Sequence, residues 1–255
     1  MHKNKVAIIG CSHSDPGFVE SKPETPHILT PRKINWVMQM SRQYPTIQFD
    51  NYALGGHGHD YQDLALKHCI TQGDYGMIVV QLTGDHRGTI PVKSLDSLPK
   101  FQAYRHKHSS FVDNYTHYTI DSPRIAYGVN YRKNMYTSPD TALKIKAFWD
   151  MNIIGNNWNT WISQMFVDSL TQWHKLMPTL YWFQWVNWPS QTVTHQSNIM
   201  DISINEWCKN QWGEDYVGNS TYTMDDDHLN DWANSELLNK LLLKTSIQHT
   251  LNQLK

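Results

Sequence analysis

At 255 residues the chain is long enough to close a full α/β core in one domain. Lys and Arg number 22 against 23 Asp and Glu, a net charge of −1, which excludes binding to nucleic acid through a phosphate-neutralising surface. The N-terminus has no basic-then-apolar leader and no run approaches a membrane span. The cysteines, Cys11, Cys69 and Cys208, are odd in number and match neither a zinc spacing nor a disulfide framework, so a soluble, cytoplasmic-type protein with no membrane partner is expected.

Taken in order, Val6 to Ile9 is a short apolar run suited to a buried parallel strand, broken at Gly10 and followed by Cys11 and Ser12. A polar loop runs from Asp15 to Leu29. Thr30-Pro31 has the form of an N-cap and first helical position, opening a helix through Ile34, Val37, Met38 and Met40 that ends at Tyr44-Pro45. Thr46 to Ala53 predicts the second strand, Gly55-Gly56-His57-Gly58 a glycine-rich turn, Asp60 to Gln72 a helix closed by Gly73, and Tyr75 to Leu82 the third and most apolar strand. The alternation β-α-β-α-β implies a doubly wound parallel sheet.

Gly88 to Pro139 breaks that rhythm. It has no sustained period and is rich in Tyr, His, Ser and Asp, which suggests a lid or cap, with structure of its own, inserted over about residues 88–140 of a single 1–255 domain. From Thr141 a helical pattern returns and runs to Trp173, with a kink expected at Gly155-Asn156-Asn157. Thr179 to Val186 reads as the fourth strand, with Trp182 and Phe183 on opposite faces and Trp185 on the face of Phe183. A short helix over Ile204 to Trp212 and one long helix from Asn230 to Leu254 complete the chain.

A strand that ends in Gly and presents Ser12 puts a hydroxyl where open α/β sheets hold their ligands, but that hydroxyl needs a neighbouring base to act as a nucleophile. Asp225 stands three places ahead of His228 in a loop, the spacing at which a carboxylate can orient an imidazole. Alone that motif is weak, because acidic residues before a helix are also a solvated run favoured by the helix dipole.

The blocks gain weight together. Gly10-Cys11-Ser12 follows the first strand, Asn51-Tyr52-Ala53-Leu54-Gly55-Gly56 the second, Thr83-Gly84-Asp85 the third, and Asp225-x-x-His228 lies near the C-terminus. The series resembles the SGNH (GDSL-like) hydrolase family, whose blocks occur in this order on a flavodoxin-like, three-layer α/β sandwich. The resemblance implies a serine esterase without a cofactor. Ser12 would be the nucleophile, His228 the base and Asp225 its orienter. The backbone N–H groups of Ser12 and Gly56, with the side chain at position 85, would form the oxyanion hole.

This chain departs from the family at two places. Cys11 replaces the middle residue of Gly-Asp-Ser, which is not the nucleophile, and Asp85 stands where the family has Asn. A carboxylate facing an oxyanion repels it, and losing one donor costs about 2.7–4 kcal/mol of transition-state stabilisation. Three outcomes are open: a protonated Asp85, a substitute donor from Thr83 or Arg87, or a protein that binds without turnover. Arg87, a permanent cation, is the favoured substitute and a candidate substrate contact.

His57-x-His59-Asp60 does not fit the His-x-His-x-Asp-His register of binuclear metallohydrolases, so no metal is expected, and His57 is a candidate substrate contact in the glycine-rich turn. Trp188, at the carboxyl end of the aromatic fourth strand, would suit stacking on a sugar ring. The expected substrate is therefore a small-molecule or glycan ester, foremost an acetyl or acyl group on a carbohydrate. The alternative is a non-catalytic carbohydrate-binding or structural protein on the same fold.

Overall fold

The computed structural model describes residues 4–20, 29–84, 87–91, 100–104, 114–121, 124–128, 156–186, 200, 202–224, 228–243 and 245–255. Asp85, Trp188 and Asp225, and the helix expected from Thr141 up to residue 155, lie outside them.

The centre of the sheet is β1, Lys5–Ile9, flanked on one side by β4, Gln48–Asn51, and on the other by β5, Met77–Leu82. Beyond β5 lies β10, Leu180–Gln184, and beyond β4 lies β8, Tyr115–Asp121. These strands are all mutually parallel, in the order β10-β5-β1-β4-β8. A last strand, β7 at Lys100–Tyr104, pairs antiparallel with β8 and forms the edge. Val6 to Ile9 are wholly buried because helices cover both faces, as a continuous apolar run in a parallel sheet requires.

The alternation of side chains across the strands sorts the core into two layers. Val6, Ile8, Phe49, Met77, Val79 and Phe183 pack with α1 (Trp36–Gln43), α4 (Ile204–Trp212), α5 (Asp231–Leu242) and α6 (Thr245–Leu254). Ala7, Ile9, Ile78, Val80 and Trp182 pack with α2 (His59–Gln72) and α3 (Asn156–Leu176). The result is a flavodoxin-like three-layer α/β sandwich: the strand–helix alternation predicts its doubly wound parallel sheet, and the family resemblance implies its flavodoxin-like form. Trp182 and Phe183 fall on opposite faces, with Trp185 on that of Phe183, as their spacing in a strand requires.

Three elements differ from the sequence expectation. Thr30-Pro31 opens no helix: Leu29–Pro31 is a strand, β3, paired antiparallel with β2 at Phe18–Glu20. The helix begins only at Trp36, because Asn35 is the residue whose side chain caps it, accepting from Met38 N at 3.1 Å. The C-terminal helix is two. At 3.6 residues per turn the stripe Leu237, Leu238, Leu241 is offset by roughly a third of a turn from Ile247, Leu251, Leu254, so one straight helix could not bury both. Finally, the 88–140 stretch supplies strands to the sheet itself. β7 and β8 extend it past β4, while β6 (Arg87–Pro91), which begins one residue before the stretch, and β9 (Arg124–Gly128) pair antiparallel with each other as a separate arm.

β4 and β5 leave β1 on opposite sides, so the carboxyl end of β1 is the switch point of the sheet, where open α/β folds hold ligands. Ser12 stands there.

Candidate functional site

Immediately after β1 the chain folds into a tight turn. The N–H groups of Ser14 and Asp15 both donate to Cys11 O, at 3.0 and 2.9 Å, leaving Ser12 and His13 at the tip. The turn needs a glycine before it. A Cβ on Gly10 would sit 2.8 Å from both Cβ and Oγ of Ser14, closer than real Cβ atoms come.

Below the tip a buried polar network anchors the turn. Ser14 Oγ donates to Gln81 Oε1 at 2.9 Å and accepts from Trp36 Nε1 at 3.1 Å. Ser14 O accepts from the side-chain amides of Asn35 and, at 2.8 Å, Asn51. Gln81 Oε1 also takes the Cys11 N–H at 3.3 Å. Three separate elements, α1 with its cap, β4 and β5, thus fix the position of Ser12, with the buried groups satisfied as they must be. A position set by so many partners is suited to precise chemistry.

The loop after β4 packs against this turn. Asp15 accepts from Gly17 N through Oδ1 at 2.9 Å and from Gly55 N through Oδ2 at 2.8 Å, which ties the two loops together. A Cβ on Gly55 would lie 3.5 Å from Ser12 Cβ and 3.3 Å from Asp15 Oδ2, so the backbone approaches the serine closely. Because the Gly55 N–H is taken by Asp15, Gly56 is the next backbone donor in this turn. Its φ of +77° is one that glycine adopts without strain. Asn51 shapes the loop through its Oδ1, which accepts from Ala53 N at 2.9 Å.

His57 is nine-tenths buried, with Nδ1 donating to Gly55 O at 2.8 Å and its ring tilted against Tyr61. It therefore braces the glycine turn. His59 looks elsewhere: Nδ1 meets Ser163 Oγ of α3 at 2.8 Å in the core. Among the described residues, no group of three or more His, Cys, Asp or Glu is arranged to hold a metal ion.

Two cations reach Ser12. Lys33, buried in the join between β3 and α1, donates Nζ to Ser12 O at 2.7 Å. Arg87, the first residue of β6, donates Nη1 to Ser12 Oγ at 3.4 Å, a long contact near the limit of a hydrogen bond. Its own N–H donates to Gly84 O at 3.3 Å, so the turn after β5 holds it in place. Thr83 is buried at the end of that strand.

His228 arrives from the other end of the chain. A short closed loop carries it, with Met224 N donating to His228 O at 2.7 Å and Asn230 N to Tyr222 O at 2.9 Å. Its ring lies 4.7 Å from that of His13, tilted by 41°. His13 in turn stacks on Trp185, the planes 14° apart. Burial pushes the His13 pKa well below its ordinary value, and the positive neighbours His228, Lys33 and Arg87 push it further the same way. His13 is therefore neutral at neutral pH.

Of the residues singled out in the sequence, Ser12, Gly56, Arg87 and His228 are gathered at one end of β1. Asp85, Asp225 and Trp188 lie outside the described residues. Lys33, His13, Asp15 and Trp185 were not legible as site residues. Only His13, being next to Ser12, carried any local signal. No protein-family model matches this chain, and no curated protein matches it significantly.

Proposed function

We propose that the protein is a serine esterase of the SGNH type, acting on an acyl or acetyl ester of a carbohydrate. Ser12 Oγ attacks the ester carbonyl and His228 takes its proton. The tetrahedral intermediate collapses, the alcohol leaves with the proton from His228, and an acyl-serine remains. Water, deprotonated by His228, then attacks the acyl carbon. The acid departs and the proton returns to Ser12. Asp225 orients the imidazole, and the N–H groups of Ser12 and Gly56 receive the oxyanion, with Arg87 adding a cation at its edge.

The observation that carries this reading is the seat of Ser12. It caps a rigid turn at the switch point, with a glycine turn packed against it, a cation on its hydroxyl and His228 beside its sequence neighbour. Ser12→Ala is expected to abolish turnover of 4-nitrophenyl acetate while leaving the circular dichroism spectrum intact. Unchanged turnover would sink the assignment.

One observation favours the second reading, a carbohydrate-binding protein without turnover. Among the described residues the hydrogen bond at Ser12 Oγ comes from Arg87, not from an imidazole. Glycan binding by a wild-type protein that hydrolyses no ester would establish this alternative.

A further inference from the structure

Ser12 is served by more positive charge than the hydrolysis of a neutral ester requires. Its carbonyl holds the Lys33 ammonium at 2.7 Å, and its hydroxyl holds the Arg87 guanidinium at 3.4 Å. The ion pairs among the described residues are Lys67–Asp63 and Lys209–Glu214, so no described carboxylate lies within ion-pair reach of Arg87. The acid of the turn itself, Asp15, has both oxygens engaged by the backbone N–H groups of Gly17 and Gly55.

A neutral ester develops one negative charge in the transition state, which in the esterase reading the N–H groups of Ser12 and Gly56 receive. A guanidinium offers five N–H groups in a planar fork. In Arg87 a single long contact uses one of them, and the side chain is only half-buried. The remaining edge has the geometry for the two coplanar oxygens of a carboxylate.

We propose that the substrate carries a carboxylate beside the scissile ester, and that Arg87 is the residue that binds it. The inference rests on the esterase reading above. The carboxylate can belong to either half of the ester: to the acyl group, as in a dicarboxylic half-ester, or to the alcohol, as in an acylated uronic acid. Arg87 is the first residue of β6, so the β6–β9 arm supplies the specificity while the main sheet supplies the nucleophile.

The test compares kcat/KM on matched pairs, with spontaneous hydrolysis subtracted. The acyl arm sets mono-(4-nitrophenyl) glutarate against 4-nitrophenyl butyrate. The alcohol arm sets acetylated methyl galacturonate against acetylated methyl galactoside. In at least one arm the wild type is expected to prefer the anionic ester by about tenfold or more, the size of one charge-assisted contact. That preference should shrink with added salt. In Arg87→Gln the anionic-to-neutral ratio should fall toward one, and Arg87→Lys should restore part of it. The arm that shows the preference locates the carboxylate.

A wild-type-only measurement removes any dependence on the variant folding: glutarate should inhibit turnover of the neutral ester at about tenfold lower concentration than butyrate does. Ser12-dependent turnover with no anionic preference in either arm overturns this inference and leaves the esterase standing. No Ser12-dependent turnover of any of the four esters overturns both.

Discussion

The ring of His13 lies 4.7 Å from the ring of His228 and stacks on Trp185 on its other flank. Through this contact the residue next to Ser12 and the C-terminal histidine share one wall of the site. A neutral His13 adds no like charge when its neighbour accepts a proton, which suits a base that must become an imidazolium in the transition state.

That arrangement has a cost at low pH. The unfolded His13 titrates near the ordinary histidine value of 6.5, whereas the folded one resists protonation. Below pH 6.5 the unfolded chain therefore binds a proton that the folded chain does not. This contribution to stability is complete above that pH and is lost as pH falls. His13→Phe keeps a ring against Trp185 and removes the titration. Between pH 7 and 5, Tm should fall less in the variant than in wild type; an equal fall in both would contradict a buried, neutral His13.

Asp15 joins the serine turn to the glycine turn through Gly55 N. Asp15→Ala leaves that N–H without its partner and releases the loop that holds Gly56. A hydrogen bond to a charged group is worth about 1.5–3 kcal/mol, so kcat/KM for an acetyl ester should drop by roughly tenfold or more. Because the misplaced group is the proposed oxyanion donor, most of the loss should appear in kcat. A change confined to KM would argue that Gly56 has no part in the transition state.

Gly10→Ala tests the close approach at the end of β1. Its Cβ would meet Ser14 Cβ and Oγ at 2.8 Å and Gln81 Oε1 at 3.1 Å, within a network that cannot give without losing hydrogen bonds. Overpacking of this kind costs about 1–3 kcal/mol, to be read as a lower urea midpoint at unchanged slope. Wild-type stability would mean that the turn is looser than described.

Asp85 is the one catalytic-block residue whose type opposes the proposed chemistry. If its carboxylate repels the oxyanion, Asp85→Asn should raise kcat, with a ceiling of about a thousandfold set by the worth of one oxyanion donor. If it is protonated and already donating, kcat should barely move. A marked fall would assign Asp85 a different role.

The sheet core was legible because its signals are local. An unbroken apolar run gave β1 and β5, Gly73 with its left-handed φ of +66° closed α2, and period-two alternation sorted Trp182 from Phe183. Where competing local signals met, the sequence misled. Thr30-Pro31 has the form of a helix start, yet the cap hydrogen bond belongs to Asn35. The leucine-rich C-terminus looks like one helix until the two apolar stripes are placed around the axis. β8 and the edge strand β7 were hidden because β8 pairs with β4, far away in the chain, and β7 pairs only with β8, and their own pattern is weakly periodic.

The same distinction holds at the site. Ser12 and His228 announced themselves by residue type and by their place relative to predicted elements. Lys33, Gln81 and Trp185 did not, since each matters only through a contact made across the fold. A buried lysine on a backbone carbonyl leaves no trace in spacing or composition.

Labelling with a fluorophosphonate tests the nucleophile most directly. Mass spectrometry of the intact protein should show a single phosphonyl adduct, and peptide mapping should place it on Ser12. Ser12→Ala should take up none, and His228→Ala should label far more slowly because the hydroxyl has lost its base. An unlabelled wild-type protein, or an adduct on another residue with Ser12→Ala still hydrolysing esters, would contradict the account.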